Sequence, residues 1–294
     1  MKMELKMISD YRHNALYRES FNALARKIFW IDFEKWYEAG FWNDRYICFS
    51  FLDRDQVVAN VSANLLSWVV QGKQLNVIQI GTVMTHPDYR KKGLASQLMQ
   101  QVLKTYEDRC DLFYLFGEPS VKSFYESFGF KPIQETCFHT ELKVNGESSS
   151  CIRKLNLSEP RDMDIIRSLA AERAPLSGKF WVEHTQSLLA WHLLNVYPEE
   201  IYYIEQLNAI VLFKVEGENV HLYDVVCRNH VPLEEVMEYL VPNGTYKVNV
   251  HYTPAQPSDY NREPFVTDDY IFFVKAKDER MLPVEFFHPV TAHA

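Results

Sequence analysis

The sequence predicts a two-domain α/β protein, each domain built on a mixed, mostly antiparallel sheet flanked by helices. Three observations point there. Strand-sized apolar runs alternate with helix-sized amphipathic runs along 294 residues, a length comfortable for two domains. The same order of elements is met twice, although the two halves share little residue identity. Between them lies "KVNGESSSC", 143–151, a polar Gly/Ser stretch with no apolar periodicity. The expected layout is therefore a first domain at 1–142, a linker at 143–151 and a second domain at 152–294.

In order, residues 3–9 read as a short strand and two helical stretches cross 14–40. Strands follow at 45–52, 56–70 and 74–84, where β-branched and aromatic residues dominate. Next come a helix over about 94–107, the apolar strand "DLFYLF" at 111–116, a short helix near 120–128 and closing strands after Gly129. The second half opens with a strand at 152–157 and helices at 160–173 and 179–195. Strands at 201–205, 209–215 and 219–226, a helix near 232–240 and strands at 245–252 and 269–275 complete it. "EGEN", 216–219, and Asn243-Gly244 both suit hairpin turns.

Composition narrows the function. A formal charge of −8 argues against a non-specific nucleic-acid binder, because phosphate neutralisation needs a broad basic surface. The longest apolar runs, "YICFSFL" and "IVLFKV", are strand-sized and far short of a membrane span. Five widely spaced cysteines (Cys48, Cys110, Cys137, Cys151, Cys227) form no CxxC pair, and no signal-like segment follows "MKMELKM". Reduced thiols in a cytoplasmic protein are the expectation. Ten scattered histidines show no ligand spacing, so no metal is expected.

One stretch carries chemistry. "LNVIQIGTVM", 75–84, reads as a central strand, and Gly81 inside it signals a bulge or a close neighbour. Pro87 then stops sheet pairing, and "HPDY" makes the turn. Leu94, Leu98, Val102, Leu103 and Tyr106 recur at helical spacing, with Ser96, Gln97, Gln100, Gln101 and Lys104 on the opposite face. Arg90, Lys91, Lys92 and Gly93 thus fall at a helix N-terminus, where unpaired amides and the dipole favour an anion. A phosphate or pyrophosphate can rest on the amides of roughly 91–95, with Gly93 allowing close approach. The bland alternative is a solvated basic turn; the consistent order of strand, bulge signal, turn, glycine and helix weighs against it. Neither GxxxxGK[ST] nor GxGxxG is present. What remains is Arg/Gln-x-x-Gly-x-Gly/Ala, here Arg90-Lys91-Lys92-Gly93-Leu94-Ala95.

"VMTHPDYRKKGLASQLM" resembles the acetyl-CoA-binding segment of the GCN5-related N-acetyltransferase (GNAT) superfamily. "SFYESFGF", 123–130, resembles the same family's Tyr-Glu-x-x-Gly-Phe signature. With the element order, the resemblance covers most of 1–142. It implies a GNAT-like fold whose strands 75–84 and 111–116 splay into a wedge for a thioester. It further implies that Val83, Met84 and Thr85 pair with the pantetheine arm, and that the pyrophosphate lies on Lys91, Lys92, Gly93, Leu94, Ala95 and Ser96 beside Arg90. Tyr125 matches the tyrosine many members use as general acid toward the departing thiolate; packing beside Phe124 and Phe128 is the other reading. Many relatives carry asparagine seven residues before that tyrosine, where this chain has Glu118. A proton acceptor for the attacking amine and a helix-start charge are equally compatible with it.

The reaction so implied is direct acetyl transfer from acetyl-CoA to a small amine, with a backbone amide near Met84 polarising the carbonyl. Cys110 and Cys137 lack a neighbouring base and read as structural. A cationic acceptor suits the acidic balance, and "FWIDFEKWYEAGFWND", 29–44, offers rings and carboxylates for one. Most of those rings also sit at helical spacing and so read as core. Where the first half has its loop, the second reads "VVCRNHVPLEEV", 225–236, with Pro232 starting the helix and Glu234 and Glu235 in its first turn. That half is a degenerate copy expected to bind no CoA, serving to complete the acceptor pocket or to support the first half. The other function classes considered are a non-catalytic acyl-CoA sensor and a pure interaction protein. The expected partners are a small amine and a second copy in a homodimer, with neither nucleic acid nor membrane.

Overall fold

A computed structural model of the chain describes residues 5–145 and 152–294. Most of the linker expected over 143–151, the start of the strand expected at 3–9, and Cys151 lie outside the described residues. The first half runs β1 (Leu5–Ser9), α1 (Ala15–Phe29), α2 (Glu34–Glu38), β2 (Tyr46–Asp53), β3 (Gln56–Val70), β4 (Lys73–Thr85), α3 (Leu94–Tyr106), β5 (Leu112–Gly117), α4 (Lys122–Glu126), β6 (Lys131–Pro132) and β7 (Thr136–Val144). The second half runs β8 (Ile152–Lys154), α5 (Pro160–Ala171), β9 (Phe180–Glu183), α6 (Gln186–Asn195), β10 (Ile201–Ile204), β11 (Ala209–Glu216), β12 (Asn219–Val226), α7 (Leu233–Leu240), β13 (Gly244–Val250), β14 (Asn261–Pro264) and β15 (Ile271–Ala276).

Two mixed sheets result. The first has the order β1-β2-β3-β4-β5-β15-β6, with β9 on the far end of β3; the second has the order β14-β7-β13-β12-β11-β10-β8. The sheets exchange strands. β15, late in the chain, pairs antiparallel with β5 from Ile271↔Gly117 to Ala276↔Leu112. β7 leaves the first half and pairs with β13 from Gly244↔Val144 to Val250↔Phe138. Phe272, Phe273 and Val274 of β15 are buried on both sheet faces, as an interior strand requires.

Two expectations are corrected. Residues 179–195 were expected to be one helix, but Phe180–Glu183 is a strand paired to Ser67–Val70, and the helix begins only at Gln186. The reason is tertiary: β3 runs past the end of β2 at Asn64, and Phe180, Trp181 and Val182 fit the pleated, buried edge so left better than a helix. Asn243-Gly244 makes no hairpin; it joins α7 to β13. "EGEN" does close the β11–β12 hairpin, with Gly217 at φ 63°.

Packing places the site. Leu94, Leu98, Met99, Val102 and Tyr106 of α3 bury against one face of the first sheet, on Phe49, Ile78, Ile80 and Leu115. The opposite face carries Trp68, Tyr114, Phe180, Phe272 and Phe286. A third core mixes the halves: Phe33, Trp36, Trp42 and Tyr46 pack in one cluster with Leu189, Leu193, Ile210 and Leu212. There the Phe33 and Trp191 rings stack at 4.5 Å, and Trp36 Nε1 donates to the Ser187 carbonyl at 2.8 Å. The rings of the 29–44 stretch are thus chiefly interface core. Two of its four carboxylates are spoken for as well: Glu34 accepts from Arg18 and Asn22, and Asp32 from Arg26, while Glu38 and Asp44 are exposed. Neither Glu34 nor Asp32 forms an open cradle for an amine.

A buried ion pair fixes the second sheet to the end of the chain. Arg173 and Asp224 are 7% and 1% exposed and form two hydrogen bonds, at 3.1 and 2.6 Å. Asp224 also accepts from Thr291 Oγ1 at 2.5 Å and from the Val225 amide at 2.8 Å. Asp224→Ala strands the Arg173 guanidinium in the core, and a loss of about 3–5 kcal/mol is expected. Urea unfolding measures it; a loss below about 1 kcal/mol, the size of an exposed pair, contradicts this role for the pair.

Candidate functional site

The site begins where two parallel strands part. β4 and β5 pair only at Val77↔Leu112, Ile78↔Phe113 and Gln79↔Tyr114. Beyond Gln79 the strands separate. β4 then bulges: Asn60 pairs Met84 while Ser62 pairs Gly81, so Val61 alone faces both Thr82 and Val83. Gly81 flanks this bulge, and the left-handed residue is the next one, Thr82, at φ 47°. A β-branched residue there is strained and must be held by its surroundings.

It is held by a buried hydrogen-bond chain. Asn60 Nδ2 donates to the Thr82 carbonyl and to Ser62 Oγ, both at 2.9 Å. Asn60 Oδ1 accepts from Ser50 Oγ at 2.8 Å, and Ser50 shares a 2.6 Å bond with the Tyr11 hydroxyl. The Tyr46 hydroxyl meets Thr82 Oγ1 at 2.8 Å. Burial pushes both tyrosine phenols well up, so each keeps its proton. Sequence reasoning passed over Asn60, though a signal existed: Asn60, Ser62 and Asn64 alternate along one face of an otherwise apolar strand.

After the bulge the chain turns into α3. Tyr89 and Arg90 donate their amides back to His86 and Pro87, and Arg90 Nε reaches the Thr85 carbonyl at 3.3 Å. Lys92 Nζ lies 2.7 Å from the Asp88 carbonyl and 4.7 Å from the centre of the Tyr89 ring. Lys91 and Gly93 are both left-handed, at φ 60° and 75°, and Gly93 is the N-cap. No side chain caps this helix, and no acid stands in its first turn. The first-turn amides, at Leu94, Ala95 and Ser96, therefore keep their capacity for an anion. A Cβ on Gly93 would meet only Gln97 Nε2, at 3.9 Å; the space beside this backbone is open. Of the strand residues, Met84 is buried, whereas Val83 and Thr85 are half-buried at the gap.

Across the gap stands Tyr125, 6% exposed. Its ring lies on Gly117, the last residue of β5, so closely that a Cβ there would be 2.6 Å from Tyr125 Cε2. Phe124, Phe130 and Phe273 surround it. Burial, then the Glu118 charge, pushes the phenol up to about 12, and its hydroxyl has no hydrogen-bond partner among the described residues. It is a protonated donor free to be used. Glu118 is exposed and takes a 3.3 Å hydrogen bond from Ser120 Oγ. The Cys110 and Cys137 thiols are raised by burial, Cys110 to about 11, and so keep their protons.

On the sheet face away from α3, the last residues of the chain lie against the parted strands. With the Gln79 amide oriented to satisfy both neighbours, it donates to the Ala292 carbonyl at 3.2 Å and accepts from the Ala294 amide at 3.0 Å. A Cβ on Gly81 would sit 3.1 Å from Ala294 Cβ. His293 stacks on Phe116 at 3.7 Å, and its carbonyl meets His192 Nε2 at 2.9 Å. No periodicity in "MLPVEFFHPVTAHA" announces this placement. Among the described residues no group of three or more His, Cys, Asp or Glu is arranged to hold a metal ion. No helix there is long and apolar enough to cross a membrane.

Burial lowers His192 and His251 to about 4, His288 to about 3, and His293 well below the ordinary value. On unfolding each would take up a proton below about pH 6.5. Their stabilising effect is thus full above that pH and lost as pH falls toward the folded values. Glu135 acts oppositely: burial raises it to about 7, so its contribution is present at low pH and fades as pH rises toward 7. Four imidazoles outweigh one carboxyl. Unfolding free energy is expected to drop between pH 6.5 and 4.5, at most by about 1.4 kcal/mol per pH unit per imidazole. Urea titrations at several pH values measure it, and a flat profile contradicts the burial of these rings.

Residues 11–133 match the model of the family described as Acetyltransferase (GNAT) domain. No curated protein matches the chain in sequence. Among solved structures, a GCN5-related N-acetyltransferase from Kribbella flavida aligns at TM-score 0.55 and 16% identity, over 93% of this chain and 72% of that one. Eis1 from Mycobacterium abscessus aligns at TM-score 0.55 and 12% identity, over 91% and 73%. At such identities these two establish likeness of fold.

Proposed function

Since residues 11–133 belong to the GNAT family of acyltransferases, we propose that the chain is an N-acetyltransferase moving the acetyl group of acetyl-CoA to a small, cationic amine. One observation carries the reading: an uncapped helix tip with left-handed Gly93 faces the mouth of two parting parallel strands, with a protonated Tyr125 across the gap.

The diphosphate of acetyl-CoA rests on the amides of Lys91–Ser96, with Arg90, Lys91 and Lys92 supplying charge. The pantetheine amides pair with the edge of Val83–Thr85 that faces away from β3, as a further strand would. This sets the thioester carbonyl in the wedge, polarised by an amide near Met84. A neutral amine attacks that carbon, forming C–N as C–S breaks, and the sulfur takes its proton from the Tyr125 phenol. The amine's proton leaves through Glu118 or water at the open mouth. No step passes through a cysteine; burial keeps the Cys110 and Cys137 thiols protonated.

Gly93→Glu is expected to weaken acetyl-CoA binding by about a hundredfold or more, since it sets a carboxylate where the diphosphate lies. Calorimetry on the folded variant measures this, and unchanged affinity overturns the assigned loop. Tyr125→Phe is expected to lower turnover of a reactive amine by about a hundredfold with acetyl-CoA affinity nearly intact. Unaltered turnover removes Tyr125 from the acid role. Acetyl-CoA binding without turnover across primary amines, polyamines and aminoglycosides would instead favour an acyl-CoA sensor.

A further inference from the structure

The second sheet repeats in β12, α7 and β13 the order of β4, α3 and β5. β12 and β13 are parallel and pair from Asn219↔Lys247 to Leu222↔Val250, after which they also part. Here the helix tip is unsuited to an anion. Pro232 is the N-cap of α7, and Glu234 and Glu235 stand in its first turn, where they oppose negative charge. Yet the wedge is not filled. A cavity of about 220 Å³ opens between the parted strands and the start of α7, walled by Leu176, Leu222, Val225 and Val236.

Phenols and carboxylates dominate the polar lining, beside Thr140, Gln256 and one imidazole, His230. Tyr252 lines it at 7% exposure, and its hydroxyl has no hydrogen-bond partner among the described residues. The hydroxyl is not sealed in the core but opens to the cavity, where an occupant or solvent can meet it. At the mouth stand Glu234 and Asp259, both exposed and neither in an ion pair among the described residues. Tyr260 lines the cavity with them, its phenol raised to about 12 by burial and then by these two carboxylates. An aromatic face flanked by uncompensated negative charge attracts a cation.

We propose that this cavity is a second ligand site, for a small organic cation whose apolar body enters the wedge between β12 and β13 and whose ammonium meets Glu234, Asp259 and the Tyr260 face. Its size sets the scale of the occupant: it lies below the roughly 300–1,000 Å³ of sites for drug-sized ligands. An amine carrying a single ring suits it. The proposal stands apart from the acyl-transfer reading, because the cavity belongs to the other sheet and uses none of residues 83–96.

Calorimetry on the full chain tests it, with phenethylammonium as the cation and phenylacetate as an anion of similar body. The cation is expected to bind and the anion not. Glu234→Gln with Asp259→Asn, both exposed, should weaken the cation at least tenfold. Gly93→Glu, which disables the first-sheet loop, should leave cation binding unchanged, so that failure of the acetyl-CoA reading and failure of this one are told apart. Absence of heat with phenethylammonium, equal binding of phenylacetate, or full affinity in the double variant would overturn the second site.

Discussion

Backbone polar groups that leave a sheet ladder must find other partners, and that requirement organises the first half of this protein. β4 and β5 share three residue pairs and then diverge inside a densely packed domain. Each facing N–H and C=O beyond Gln79 and Tyr114 is a liability if it stays both buried and unpaired. The chain meets the liability in two ways. Asn60 takes the Thr82 carbonyl, and Val83 and Thr85 lie half-buried at an open gap. The gap is therefore a built feature, with a strained residue on one wall and a buried hydrogen-bond chain holding it.

The two halves do not stand as separable units. β15 completes the first sheet only after the second has been traced, and β7 completes the second from within the first half. Neither sheet keeps its order if the chain is cut near residue 145. The shared core adds to this: Phe33 and Trp36 are buried against residues of α6, so separating the halves would expose large aromatic surface. Such long-range pairing makes folding depend on contacts far apart in sequence. It also ties the site to the chain's last residues, because the Arg173–Asp224 pair holds Thr291 only three positions before Ala294.

Much of the site was legible in local pattern. The period of Leu94, Leu98, Val102 and Tyr106 located α3, and the cluster Arg90–Gly93 located its tip, since helix starts obey short-range rules of capping and charge. Tyr125 followed from its motif, and its contact with Gly117 comes from the same short loop. Other features have no local signature. The exchange of β7 and β15 is a pairing choice between two sheets, and both strands read alike in either. Gly81 signals a bulge or a close neighbour and has both, flanking the bulge and meeting Ala294, whereas the strain at Thr82, held by Asn60, has no local sign. The rings of 29–44 are equally apt for a pocket or a core, and only the packing of α6 against them decides for core.

The contrast between the two wedges shows how little must change to redirect a fold's chemistry. Both sheets present a parallel pair that parts, with a helix starting beside the gap. At α3 the N-cap is a left-handed glycine preceded by three cations; at α7 it is a proline followed by two carboxylates. The backbone geometry of a helix start favours negative charge in both places. Side chains reinforce that preference at one tip and cancel it at the other. Since the dipole contributes only about 0.3–1 kcal/mol at an exposed helix end, a few nearby charges suffice to reverse the local sign. The fold supplies the wedge, and the residues at its tip decide which charge can rest there.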